Sequence, residues 1–185
     1  KLISIKNNKV FLFFVMTNKD LYLSVVSPIY LAEKSIDELV KKLKTTLVTI
    51  TSKFEIILVD DGSPDNSWGK ITNHCQADSR VKGIKLSRNF GQHYAITAGL
   101  EKSKGSYVIV IDCDLQEDPS YIKNLVQKKD EGFEIVLSQT LKKKQNFIKN
   151  FAYFIYNKCF NLLVGNKNFK INGRYCTLSL LSKRA

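Results

Sequence analysis

The chain has 185 residues, 44% of them hydrophobic, enough for one domain with a real core. No apolar run approaches the length of a membrane-spanning helix. The four cysteines (Cys75, Cys113, Cys159 and Cys176) form no CxxC pair, which argues against a zinc site or a disulfide framework and for a reduced, cytoplasmic setting. The formal charge of +12 is lopsided: residues 121–185 carry thirteen Lys or Arg against three Asp or Glu, and no acid follows Glu134. Such asymmetry calls for an anionic partner (nucleic acid, phosphorylated lipid or a membrane surface), or else marks a merely soluble lysine-rich face.

The first fifteen residues, KLISIKNNKVFLFFV, faintly resemble a signal peptide, but the apolar core is seven residues long and no small-residue cleavage site follows. Met16 is expected to be the native start, which makes residues 1–20 an N-terminal extension; an extra edge strand is the alternative. From Leu21 the pattern alternates. LYLSVVS predicts a strand, and EKSIDELVKKLKTTL predicts a helix through the spacing of Ile36, Leu39, Val40, Leu43 and Leu47. FEIILVD is a second strand ending in the turn DDGSPDNS, and WGKITNHCQAD is a helix. VKGIKLS is a third strand, FGQHYAITAGLEKS a helix, YVIVID a fourth strand, PSYIKNLVQKKDEG a helix ending at Gly132, and FEIVLSQ a fifth strand. Strands alternating with helices of this length predict an α/β fold with a mainly parallel central sheet, in one domain over 21–185.

In open α/β sheets ligands collect beyond the carboxyl ends of the strands. The polar clusters SPIY, DDGS, SRNFG and DCDLQ fall at four such ends. The run VIVIDCDLQEDPS is the most telling. Val108–Ile111 lacks polar alternation and reads as a strand buried on both faces, yet it runs into two carboxylates one residue apart. Asp118-Pro119 caps the next helix, which leaves Asp112 and Asp114 unexplained. Paired anions repel unless a cation lies between them. Asp112, Asp114 and the Gln116 amide oxygen are hard donors suited to Mg²⁺ or Mn²⁺, ions that bridge to phosphate oxygens. A metal-bound diphosphate is the natural occupant, with the ion stabilising charge on the departing group.

Asp60 is the candidate for reading a nucleobase N–H. Asp61 either joins it or forms an Asx-turn over Gly62-Ser63. Tyr30, after Pro28, either lies against a base or packs inside. Arg88 suits diphosphate oxygens or is a plain surface arginine, and helix-opening amides near Gly91 would add to the anion site. No GxGxxG or GxxxxGK[ST] occurs, which disfavours dinucleotide and Walker-type sites. LVDDGS lacks the spaced aspartates of a haloacid-dehalogenase nucleophile motif.

Taken together, VVSPIYLAEKSIDELV, EIILVDDGSPDNSW, KLSRNFGQHYAITAGL and VIVIDCDLQEDP resemble the GT-A nucleotide-sugar domain of family-2 glycosyltransferases. The branch they are most similar to is that of dolichyl-phosphate mannose synthase and the bactoprenol glucosyltransferases. The resemblance is good over about residues 21–140 and loose beyond. It implies a Rossmann-like GT-A fold and inverting transfer from a UDP- or GDP-sugar with Mg²⁺ or Mn²⁺. Pro28, Tyr30, Glu33 and Asp60 would line the nucleoside pocket, and Asp112, Asp114 and Gln116 would hold metal and diphosphate. With it, nucleic acid drops out as a partner.

The chain also departs from the family's pattern. Leu31 and Ala32 replace the Asn-Glu of PxYNE, and Thr177 in CTLSLLSK stands where an Asp or Asn is expected. Relatives in that branch continue into membrane helices, so this chain is expected to be C-terminally truncated or to belong to a soluble branch.

The acceptor follows from the missing acids. Transfer to a sugar hydroxyl normally needs a carboxylate base, whereas a lipid phosphate is already anionic near neutral pH. Polyprenyl phosphate is therefore favoured, at the cytoplasmic face of a membrane. A cell-surface saccharide hydroxyl, or a nucleotide-binding remnant without activity, is the alternative. NFIKNFAYFIYNKCFNLLV, residues 146–164, groups Lys149, Asn150, Asn157, Lys158 and Asn161 in a polar stripe along a helix, which suits a membrane interface or, alternatively, core packing. If 142–164 is a peripheral membrane contact, the protein floats with anionic vesicles, Lys142, Lys143, Lys144 and Lys149 supply much of the salt-dependent part at about 1 kcal/mol each, and changing Lys142, Lys143 and Lys144 to Gln separates it from the aromatic part. Failure of the unmodified protein to float at low salt would reassign the segment to the core.

Overall fold

The structure, a computed structural model, describes residues 21–139 and 175–183. The chain divides into two compact units, residues 1–138 with 177–185, and residues 139–176. Of the second, only Gln139, Tyr175 and Cys176, at strand ends, are among the described residues. The N-terminal extension and the expected helix over 146–164 lie outside them.

Six strands form one sheet: β1 (Tyr22–Ile29), β2 (Lys53–Asp60), β3 (Val81–Lys85), β4 (Tyr107–Val110), β5 (Ile135–Gln139) and β6 (Tyr175–Ser182). Their order is β3-β2-β1-β4-β6-β5. β1 pairs in parallel with both β2 and β4, and β2 with β3, while β6 enters antiparallel to β4. The helices are α1 (Ile36–Leu47), α2 (Ser67–Ala77), α3 (Gln92–Lys102) and α4 (Ile122–Asp130), the last preceded by a 3-10 turn at Pro119–Tyr121. The α/β class, the mainly parallel sheet and every predicted element in the described residues are borne out, with ends shifted by a few residues. β6 was not predicted.

The unalternating strands have the expected cause. Leu23, Val25, Ile56, Leu58, Ile109 and Ile111 pack one face of the sheet against α1, α2 and α4. Val26, Ile57, Val59 and Val108 pack the other against Ala95, Ala98 and Leu100 of α3. The approach of α3 is close: a Cβ on Gly99 would come within 2.3 Å of Val26 Cγ1. Both faces are therefore covered, as a parallel sheet requires.

The amino-terminal edge of the sheet closes on a buried carboxylate. Glu55, 1% exposed, accepts from Ser24 Oγ and the Lys104 amide, both at 2.6 Å, and from Lys82 Nζ. Burial would push its carboxyl up, but Lys82, Ser24 and the Lys104 amide together hold it below the usual range. The carboxyl-terminal edge differs, because its loops carry strained backbone. Leu31 (φ 52°) and Leu115 (φ 59°) both adopt the left-handed region without being glycine.

Two outcomes follow for stability. A depressed carboxylate stabilises the fold above its unfolded-state value and loses that contribution as pH falls through the folded one. Glu55→Gln should cost about 1–3 kcal/mol at pH 7 in urea unfolding. It should also flatten the loss of stability below pH 4.5, the ordinary glutamate value. Leu31 is 58% exposed, so Leu31→Asn removes strain without opening the core. It should raise stability by about 1 kcal/mol, and an unchanged or lowered midpoint would contradict the strain.

Candidate active site

The parallel strands end on one edge, and the loops there are stitched to one another. The β1 loop is tied to the β2 loop by Leu31 N–H donating to Ser63 Oγ (3.2 Å) and Ala32 N–H to Ser67 Oγ (3.1 Å). Gly62 (φ 68°) brings the β2 loop against the β3 loop: a Cβ there would lie 2.5 Å from the Arg88 carbonyl carbon. Only glycine fits that approach. The Ile111 amide donates to the Val26 carbonyl (3.1 Å), setting the end of β4 beside β1.

The sequence motifs separate into scaffold and open groups. Asp61 makes no Asx-turn, since the Ser63 amide goes to Asp60 Oδ1. Asp61 Oδ1 accepts the Phe90 amide (2.8 Å) and its Oδ2 the Gly91 amide (2.9 Å). The Gly91 N–H expected to face a phosphate is thus spent on a carboxylate, which supplies the negative charge this helix start favours. Glu33 Oε2 accepts the Asn66 amide (3.4 Å), and the Glu33 amide donates to Asp65 Oδ2 (3.2 Å). It secures the start of α2. Both carboxylates accept backbone amides of neighbouring loops.

Asp60, fully buried, accepts the Ser63 amide at Oδ1 (3.2 Å), while its Oδ2 has no partner. Ser27 Oγ is the other such buried atom among the described residues. Pro28 is buried at the end of β1, and Tyr30 is 44% exposed rather than packed inside. Arg88 is exposed, with its guanidinium 4.7 Å from the centre of the Phe90 ring.

Asp112 and Asp114 follow β4 directly. Asp112 is half-buried, and both its oxygens are held at 2.6 Å: Oδ1 by Gln92 Nε2 and Oδ2 by Thr177 Oγ1. Burial pushes its carboxyl up, the Thr177 hydroxyl draws it partly back, and the Asp114 charge pushes it up again. Asp114 and Gln116 are exposed, and Asp114 Oδ1 accepts the Gln116 amide (3.1 Å). Among the described residues no group of three or more His, Cys, Asp or Glu could hold a metal. Two carboxylates do fit a hard cation that completes its shell with water and phosphate oxygens, as Mg²⁺ and Mn²⁺ do. Gln92 and Thr177 were not among the expected site residues, although Thr177 had stood out as a departure from the family pattern.

Comparison with known proteins places this geometry. Residues 24–185 match the family model described as Glycosyl transferase family 2. The undecaprenyl-phosphate 4-deoxy-4-formamido-L-arabinose transferase of Salmonella choleraesuis (strain SC-B67) is 37% identical over 153 residues, 82% of this chain and 46% of the relative. That of Klebsiella pneumoniae (strain 342) is 36% identical over the same shares. The chain thus spans about half the length of the curated relatives it matches. Glucosyl-3-phosphoglycerate synthase from Mycobacterium tuberculosis, solved with Mn²⁺, UDP and phosphoglyceric acid, has a TM-score of 0.65 at 17% identity, over 89% of this chain and 57% of that one. S. aureus TarS 1–349 with UDP-GlcNAc has a TM-score of 0.53 at 24% identity, over 68% and 37%. Those two likenesses establish a shared GT-A fold. No helix among the described residues is long and apolar enough to cross a membrane. On the family match over 24–185, with its four motifs gathered on one edge of the sheet, the chain belongs to glycosyl transferase family 2.

Proposed function

We propose that this chain carries the nucleotide-sugar site of a metal-dependent inverting transferase that moves a sugar from a UDP- or GDP-sugar to polyprenyl phosphate. The observation that carries this reading is the pair Asp112 and Asp114 at the end of β4, on the same sheet edge as the orphaned Asp60 oxygen. A buried carboxylate oxygen without a partner is costly, and a nucleobase N–H would satisfy it. The exposed Tyr30 ring is available to lie against that base, beside Pro28. Asp112, Asp114 and the Gln116 amide oxygen would hold Mg²⁺ or Mn²⁺, which when bound supplies Lewis-acid stabilisation of the departing diphosphate. Arg88 presents a planar fork suited to diphosphate oxygens.

The acceptor side is supported by what faces Asp112. Position 177 presents a hydroxyl there, not a carboxylate. A phosphate acceptor needs no base: its oxygen attacks the sugar's anomeric carbon as the bond to diphosphate breaks on the opposite face. The curated relatives are named for undecaprenyl phosphate and 4-deoxy-4-formamido-L-arabinose, which makes that sugar the first donor to test. The basic 121–185 segment suits an anionic lipid.

Thermal-shift titration with UDP, GDP and NAD, with and without Mn²⁺, tests the donor site. Metal-dependent stabilisation by UDP or GDP is expected, absent with NAD. Asp114→Asn should abolish the metal-dependent part while the metal-free melting temperature stays within about 2 °C, as befits an exposed side chain. Stabilisation by NAD alone, or an unaltered response in Asp114→Asn, would remove the reading.

A further inference from the structure

We propose that Gln92 and Thr177 are positioning residues that lock the Asp112 carboxylate in the orientation a metal-bound diphosphate requires. The inference rests on the reading of Asp112 and Asp114 as metal ligands. It adds two residues from elements that the DxD turn does not contain.

The geometry is a clamp with one donor on each carboxylate oxygen. Gln92 Nε2 meets Oδ1 and Thr177 Oγ1 meets Oδ2, each at 2.6 Å. A carboxylate offers about four lone-pair directions, so one bond per oxygen leaves one direction on each for a cation. Rotation about the Asp112 side-chain bonds is blocked from both sides. Both donors are neutral. A lysine in either place would hold Asp112 as well but would compete with the metal for its charge.

Each jaw has its own support. Gln92 opens α3, and the two amides just before it, those of Phe90 and Gly91, are fixed by Asp61. Thr177 lies on β6, where the next residue, Leu178, donates its amide to Glu117 Oε2 (2.8 Å). Glu117 belongs to the same turn as Asp112 and Asp114, so β6 grips that turn at two points. The jaws come from 20 residues before Asp112 and 65 after it. Gln92 is exposed and Thr177 only half-buried, which is a poor arrangement for stabilising a core and a good one for orienting a surface ligand.

The test is calorimetric titration of the unmodified chain, Gln92→Ala, Thr177→Val and Thr177→Ser with UDP and GDP, each with Mn²⁺ and with EDTA. The metal-free melting temperature of every variant is recorded alongside. Gln92→Ala and Thr177→Val should each weaken Mn²⁺-dependent binding about 10–100-fold. Thr177→Ser, which keeps the hydroxyl, should bind like the unmodified chain. Affinity in EDTA and the metal-free melting temperature should not change. Variants that keep full Mn²⁺-dependent affinity would overturn the clamp and leave the donor-site reading standing. Equal losses with and without Mn²⁺, or a fallen melting temperature that serine does not repair, would make the pair scaffold and overturn it too. An unmodified chain with no Mn²⁺-dependent binding of either nucleotide would remove the clamp and the donor site together.

Discussion

A carboxylate drawn partly out of water at the end of β4 governs the carboxyl-terminal edge of this sheet. Asp112 follows Ile111, a buried residue whose amide is bonded to Val26, so its backbone cannot retreat toward solvent. Asp114 carries the same charge two residues on. Two anions so placed are tolerable only if donors or a cation answer them. The surrounding loops are arranged to do so. Asp61 fixes the start of α3 so that Gln92 reaches Asp112, and β6 returns antiparallel beside β4 so that Thr177 reaches it from the other side. The loop stitches, the close approach at Gly62 and the β6 insertion share this consequence.

The two edges of the sheet contrast in how fully their polar groups are answered. At the amino-terminal edge Glu55 is buried with donors on both oxygens, and the Ser24 hydroxyl both donates to it and accepts the Gly105 amide. At the carboxyl-terminal edge Asp60 Oδ2 and Ser27 Oγ are buried without partners, and Leu31 and Leu115 hold left-handed backbone. Unanswered polar atoms and strained dihedrals are destabilising, and they persist where the rest of the fold over-determines them. The well-packed strands and the satisfied lower edge supply that constraint. Costs concentrated on one edge are the pattern expected of a ligand-binding edge, independent of any family resemblance.

Much of this was legible in the sequence, for reasons that differ by element. α1 announced itself because Ile36, Leu39, Val40, Leu43 and Leu47 recur at helical spacing, and all five are buried. β1, β2 and β4 were readable because strands covered on both faces need no polar alternation. β6 was not, since its place between β4 and β5 depends on a crossover that local pattern does not encode. The carboxylates of the candidate site were legible as residue types but not by their hydrogen-bond partners. Asp60, Asp61 and Glu33 read alike in sequence, yet Asp61 and Glu33 answer backbone amides of loops about 30 residues away.

The Leu31 position shows how a departure from a family pattern acquires physical meaning once the backbone is known. The family's asparagine at this place can be understood without reference to substrate. The residue sits at φ 52°, a region that asparagine tolerates and leucine resists. Leucine here keeps the loop path because the following residues are tied down: the Leu31 and Ala32 amides to Ser63 and Ser67, and the Glu33 amide to Asp65. Three successive amides anchored to one neighbouring loop outweigh a strain of about 1–2 kcal/mol. The substitution therefore costs stability without redirecting the chain. The end of β1 keeps its ties to Ser63 and Ser67, and with them its place on the carboxyl-terminal edge.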